Sequence, residues 1–188
     1  MRTTNQFQKY TGTVLRPIAA GILLASGFLL PAWECRGQGT LTITFDGPPH
    51  LEPGGPGWSG AEYVESNMQF TGQVSRFLGP YFAFPYNGTA YLQTFPQQQP
   101  IAFGVLDGSS FDMLSVDLTE FGLADPPTTV RFLGYRPDGS FVATDFITAG
   151  IGDDNGRPVF QTFYFGPEFT GLNRIEIPSG ENGYSLDN

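Results

Sequence analysis

The sharpest alternation of apolar and polar residues lies in the second half of the chain. Thr129–Tyr135 and Ser140–Thr148 both carry the two-residue period of a half-buried strand. Between them stands Arg136-Pro137-Asp138-Gly139. Proline presets φ and glycine accepts the positive φ that closes a tight turn, so this stretch predicts a β-hairpin. Leu41–Phe45 also alternates and reads as a first strand, and the Gly/Pro-dense Asp46–Gly60 reads as loop. Tyr63–Phe70 is a strand candidate, and Gln73–Pro100 reads as short strands with long connections. Ile101–Leu106 is an apolar run that ends at the turn pair Asp107-Gly108. Phe111–Phe121 alternates, but neither face is purely apolar, which predicts a bulge or a change of exposure along the strand. Gly152–Gly156 is a loop, Val159–Phe165 and Leu172–Ile177 are strands, and Tyr184–Leu186 is a short closing strand. From residue 38 onward there is no sustained helical period, so the class is all-β, and short apolar runs between turn signals indicate a sandwich or barrel.

The first residues have a different pattern. A polar stretch with Arg2, Lys9 and Arg16 precedes the apolar run Ile18–Leu30. The run is shorter than the roughly 20 residues that span a bilayer. A basic head, a short apolar middle and a small-residue exit describe a helical secretory signal peptide over residues 1–37, cut after Gly37. Residues 38–188 then form a single domain, and the localisation is secreted or cell-envelope. Glu34 and Trp33 before Cys35 do not suit a lipobox. If Cys35 leaves with the signal, the mature chain has no cysteine and no disulfide framework.

Composition narrows the function classes. The chain has 188 residues and a formal net charge of −9. Loss of the leader removes Arg2, Lys9, Arg16 and Arg36 against only Glu34, so the mature domain is more acidic still and contains no lysine. Such a surface repels phosphate backbones, which argues against nucleic-acid binding, and it suits calcium, neutral sugars or simple solubility. With 18 Phe, 25 Gly and 16 Pro, the chain is rich in residues that pack pleated surfaces and punctuate short strands. No membrane span is expected in the mature chain.

Several segments together carry a family resemblance. They are Ile43–Asp46 (ITFD), Phe111-Asp112, the hairpin Val130–Thr148, Phe160–Phe165, Phe169–Ile177 (FTGLNRIEI) and Tyr184–Asn188 (YSLDN). The chain resembles the small β-sandwich domains of bacterial PEP-CTERM proteins, and more widely the jelly-roll sandwiches like carbohydrate-binding modules. The resemblance implies a two-sheet antiparallel, jelly-roll-like β-sandwich, an exported protein and no known catalysis. The sorting tail of that family, with its Val-Pro-Glu-Pro motif, does not follow Asn188. In the resembled sandwiches, acidic groups at the ends of the first and last strands hold one structural calcium. The matching residues are Asp46 and Asp187, with Glu52 or a loop carbonyl completing the oxygen set. Without calcium, Asp46 opens a turn and Asp187 is a solvated chain end.

Two further sets of residues bear on function. Trp58, Tyr81 and Tyr86 are candidates for a sugar-stacking platform facing polysaccharide or envelope glycans, because aromatic rings match the apolar C–H faces of sugars. The alternative for each is core packing. Asp153-Asp154-Asn155 is oxygen-rich but lacks the spacing of an EF-hand loop, and reads as a hairpin loop. Asn87-Gly88-Thr89 fits the N-glycosylation acceptor pattern. For catalysis the inventory is thin. His50 is the only histidine, there is no G-x-S-x-G elbow, and Asp117 with Glu120 or Asp112 is a conceivable glycosidase pair of the kind any acidic sandwich offers by chance. The expectation is a non-catalytic binding module, with an envelope or matrix structural protein and a glycoside-active enzyme as alternatives.

Overall fold

The computed structural model describes residues 40–79, 84–122 and 125–188. The expected signal peptide lies outside the described residues. Gly39–Asn188 form one compact unit. Ten strands run in chain order: β1 Trp58–Glu65, β2 Met68–Leu78, β3 Ala90–Thr94, β4 Ile101–Val105, β5 Ser115–Glu120, β6 Thr129–Tyr135, β7 Phe141–Ile147, β8 Gln161–Tyr164, β9 Arg174–Ile177 and β10 Tyr184–Asp187. The described residues contain no helix, and therefore none long and apolar enough to cross a membrane.

All strand pairs are antiparallel, as in β2–β4 and β10–β5. They join in one continuous path, β7-β6-β9-β4-β2-β3-β10-β5-β8, with β1 paired to β2. The two end strands are not hydrogen-bonded to each other, yet the Phe146 ring on β7 lies 5.1 Å from Phe163 on β8. The sheet therefore curls into a nearly closed, barrel-like form. Its hinge is β2. Residues Met68–Thr71 pair with β4, and Ser75–Leu78 pair with β3. Between these halves Gly72 has φ +113°, and a Cβ there would strike the Pro100 carbonyl. Glycine is required at this bend by both its dihedral and its space.

The interior is aromatic. Phe70 meets Phe45 at 5.1 Å and Phe103 at 5.0 Å, and Phe165 meets Phe132 at 5.1 Å and Phe169 at 4.7 Å. Val116, Leu118, Ile175 and Ile177 fill the space between them.

The 129–148 hairpin forms as its pattern predicts. β6 and β7 pair from Thr129↔Ile147 to Tyr135↔Phe141. Gly139 closes the turn at φ +84°, and Asp138 Oδ1 accepts the Ser140 amide.

Other segments differ from the sequence expectations. Leu41–Phe45 joins no ladder, and at its end Phe45 adopts φ +56° with its ring buried in the core. The first strand, β1, instead begins inside the expected loop. Tyr63–Phe70 is a hairpin and not one strand. Ser66 and Asn67 have φ +50° and +69°, the pair of positive dihedrals that a tight two-residue hairpin turn demands. Within 111–121 only Ser115–Glu120 is laddered, and its alternation ends at Thr119 and Glu120, where both faces are buried.

Candidate functional site

The final strand places the main chemistry. β10 lies between β3 and β5, and all four of its residues are buried. Its last residue, Asp187, is 0% exposed and sits directly opposite Asp117 of β5. Asp187 Oδ2 accepts from Asn87 Nδ2 at 2.6 Å and Thr89 Oγ1 at 2.7 Å, and Oδ1 accepts from the Asn188 amide at 2.9 Å. Asn188 Nδ2 donates to Asp117 Oδ2 at 2.9 Å, so the chain end bridges the two carboxylates. Thr89 Oγ1 also lies 3.0 Å from Asn87 Oδ1. It has one proton, and the shorter contact to the charged oxygen claims it.

Burial pushes the Asp187 carboxyl up from its ordinary value to about 6, and the facing Asp117 charge adds to that rise. The bonds from Thr89, Asn87 and Asn188 oppose it without cancelling it. Two facing carboxylates on adjacent strands, one of them fully desolvated, form an electronegative corner.

Asp46 reaches the same turn from the other end of the chain. Its Oδ1 accepts the Ala90 amide at 2.8 Å, one residue beyond Thr89. Both acids expected from the sequence are thus anchored to residues 87–90. Glu52 is not placed with them. It is exposed, and its carbonyl closes a loop turn by accepting the Gly55 amide. Among the described residues, no three His, Cys, Asp or Glu side chains converge to hold a metal. A cation here would rely on Asp46 and Asp187 with amide, hydroxyl and backbone oxygens, the hard-donor set that calcium takes.

The loop that carries Asp46 is held by a residue to which the sequence assigned no role. Arg76 on β2 is 0% exposed. Its guanidinium donates to the carbonyls of Phe45 (2.6 Å), Gly47 (2.8 Å) and Pro49 (2.7 Å). It stacks 4.1 Å from the Tyr63 ring and 4.9 Å from Trp58. Tyr63 Oη accepts the Gly47 amide and donates to Glu65, and burial, with Glu65 beside it, pushes its pKa up to about 12. The one legible hint of Arg76 was a lone arginine within an aromatic-rich strand pattern.

The three aromatic candidates separate. Trp58 is half-buried against Arg76 and Tyr63, which is the packing alternative. Tyr86 is 46% exposed and adjoins Asn87 of the acidic corner. Tyr81 lies outside the described residues. The structure adds Tyr164 on β8, 76% exposed and opposite Ser115. Tyr164 lies in a segment read only as a strand, and its period-2 position gave no sign of which face was outermost.

Several other polar groups serve the backbone. His50 Nδ1 lies 2.9 Å from the Asp46 carbonyl. Asp112 accepts the Gly171 amide, and buried Glu120 accepts the Gly150 amide. Asp153 accepts the Asn155 and Arg157 amides, as a hairpin loop requires. Asn87 Nδ2, the atom a glycan would occupy, is bonded to Asp187.

No protein-family model matches the chain, and no curated protein does. Among solved structures, it is similar to the enzymatically active domain of bacteriophage CBA120 tailspike protein 4, at 15% identity and a TM-score of 0.31. That likeness covers 65% of this chain and 18% of the tailspike chain, and at such a score it carries no argument about function.

Proposed function

We propose that this chain is an exported, non-catalytic binding module. Its Asp46–Asp187 corner takes calcium as a structural ion, and its exposed aromatics beside that corner meet polysaccharide or envelope glycan. The observation that carries the proposal is the anchoring of two acids from opposite ends of the chain on residues 87–90, with Asp187 buried opposite Asp117. A buried carboxylate beside a second one is unfavourable alone, and a divalent cation relieves both the desolvation and the repulsion. Asp46 and Asp187 would hold the ion, with Asp117 and the Asn87 amide as neighbouring oxygens. Tyr86, exposed and adjacent to Asn87, is the aromatic best placed for sugar. In this reading the two halves of the sheet are the layers of a jelly-roll-like sandwich that share β1 and β2, in keeping with the PEP-CTERM-type resemblance. Of the acids considered for catalysis, Asp112 and Glu120 each hold a loop amide, and Asp117 accepts from the Asn188 side chain.

Calorimetric titration with calcium chloride tests the ion, and a polysaccharide retention panel that also scores reducing-end release tests the ligand. The expected results are one calcium per chain, lost in both Asp46→Asn and Asp187→Asn, and retention without release that weakens in Tyr86→Ala. Absence of calcium uptake, or uptake that survives both substitutions, removes the site. Release of reducing ends makes the protein an enzyme. A second reading, an envelope or matrix component with no small ligand, is favoured by the exposed apolar edge of β7.

A further inference from the structure

β7 is the outermost strand of its end of the sheet, and among the described residues it pairs only with β6. The Arg136 amide donates to Ser140 and the Thr148 amide to Thr128, so the even-numbered residues of this strand carry the ladder to β6. Phe141, Ala143, Asp145 and Ile147 therefore turn their backbone N–H and C=O groups to the open edge. Their side chains lie on the outer face, with Phe141 and Ile147 each 63% exposed. A seven-residue edge with apolar ends and one charge has few of the devices that prevent strand addition.

We infer that β7 pairs antiparallel with β7 of a second copy of this chain, about a two-fold axis through Thr144. This surface is separate from the acidic corner and does not rest on the function proposed for it. The strand is self-complementary in that register. Phe141 meets Ile147 of the second copy and Val142 meets Phe146, each twice, and Thr144 meets itself. Asp145 faces Ala143 and so avoids its own counterpart. Moving the axis to Asp145 sets the two Asp145 carboxylates against each other, and moving it to Ala143 sets Phe141 against Asp145. Charge favours this edge as the meeting place of two acidic chains. Arg131 neutralises Asp145 through bonds of 2.7 Å from both Nε and Nη2. The overall charge of −9 repels copies elsewhere. A two-fold interface of this kind closes at the dimer.

Sedimentation of the protein expressed from the full chain, across a concentration series, tests the contact. The expected species is a dimer. Ala143→Asp, which sets like charges against Asp145 twice, should raise the dissociation constant by about tenfold or more. Ala143→Lys, which sets opposite charges there, should lower it. Hydrogen exchange on the unmodified chain gives a second measure, because Ala143 and Asp145 amides should slow as concentration rises. A protein that stays monomeric up to about 1 mM overturns the inference. So do species larger than a dimer, equal responses to both substitutions, or exchange at Ala143 and Asp145 that ignores concentration.

Discussion

The acidic corner and the β6–β7 hairpin are built from the same antiparallel ladder, yet their burial is opposite. β10 buries every residue, including Ser185 and Asp187, because β3 and β5 flank it and both its faces are covered. β7 alternates between exposed and half-buried along its whole length. At the corner, polar groups must be satisfied by partners far away in sequence. In the hairpin, the partners are local and the outer face is solvated. A change at the corner should therefore act on the whole fold, and a change in the hairpin should remain local.

The largest difference is expected at Arg76. Arg76→Ala leaves the Phe45, Gly47 and Pro49 carbonyls without their donor and empties the space beside Trp58 and Tyr63. Loss of a buried charged donor of this kind costs about 3–5 kcal/mol, read as a shift in the urea midpoint. Phe141→Ala at the open edge should leave the monomer within about 0.5 kcal/mol of the parent. Equal losses at the two positions would erase the contrast between the regions.

Asp187 comes next. Its folded pKa, about 6, lies above the ordinary 3.8, so between these values the folded state binds more protons than the unfolded one. In calcium-free solution its charged form weakens the fold at pH 7 by on the order of 3 kcal/mol, and this penalty disappears as pH falls below about 4. Asp187→Asn should remove that segment of the pH dependence. A parent and variant with parallel pH–stability curves would show that the carboxyl is not desolvated.

Gly139→Ala is a smaller, local change. A side chain at φ +84° strains the turn by about 1 kcal/mol without moving the calcium response. Arg131→Gln should have the least effect on monomer stability, because the pair it forms with Asp145 is exposed and solvent-screened.

The same contrast explains how much of the molecule was legible in the sequence. The hairpin was visible because alternation and Pro137-Asp138-Gly139 act over adjacent residues. The β1–β2 hairpin was hidden because Ser66-Asn67 turns the Tyr63–Phe70 segment without glycine or proline. Leu41–Phe45 had the right alternation, but alternation does not supply a neighbouring strand to pair with. At the site, Asp46 and Asp187 were singled out through the resemblance of the strand ends. Their companion Asp117 arises from the β10–β5 register, and Asn87 and Thr89 reach Asp187 from the loop before β3, which no local pattern encodes. Trp58 stands in a Gly-rich loop, yet its ring is half-buried against the Arg76 guanidinium, a contact no local pattern encodes.

The most direct test of the proposal that the acidic corner takes calcium is thermal unfolding of the parent and Asp187→Asn between pH 4 and 8, with and without calcium. Without calcium, the parent should lose stability relative to the variant as pH rises through about 6. With calcium, the sign should reverse, because the ion binds the ionised carboxylate and is released as that group is protonated. A parent-minus-variant curve that calcium leaves unchanged would contradict the account.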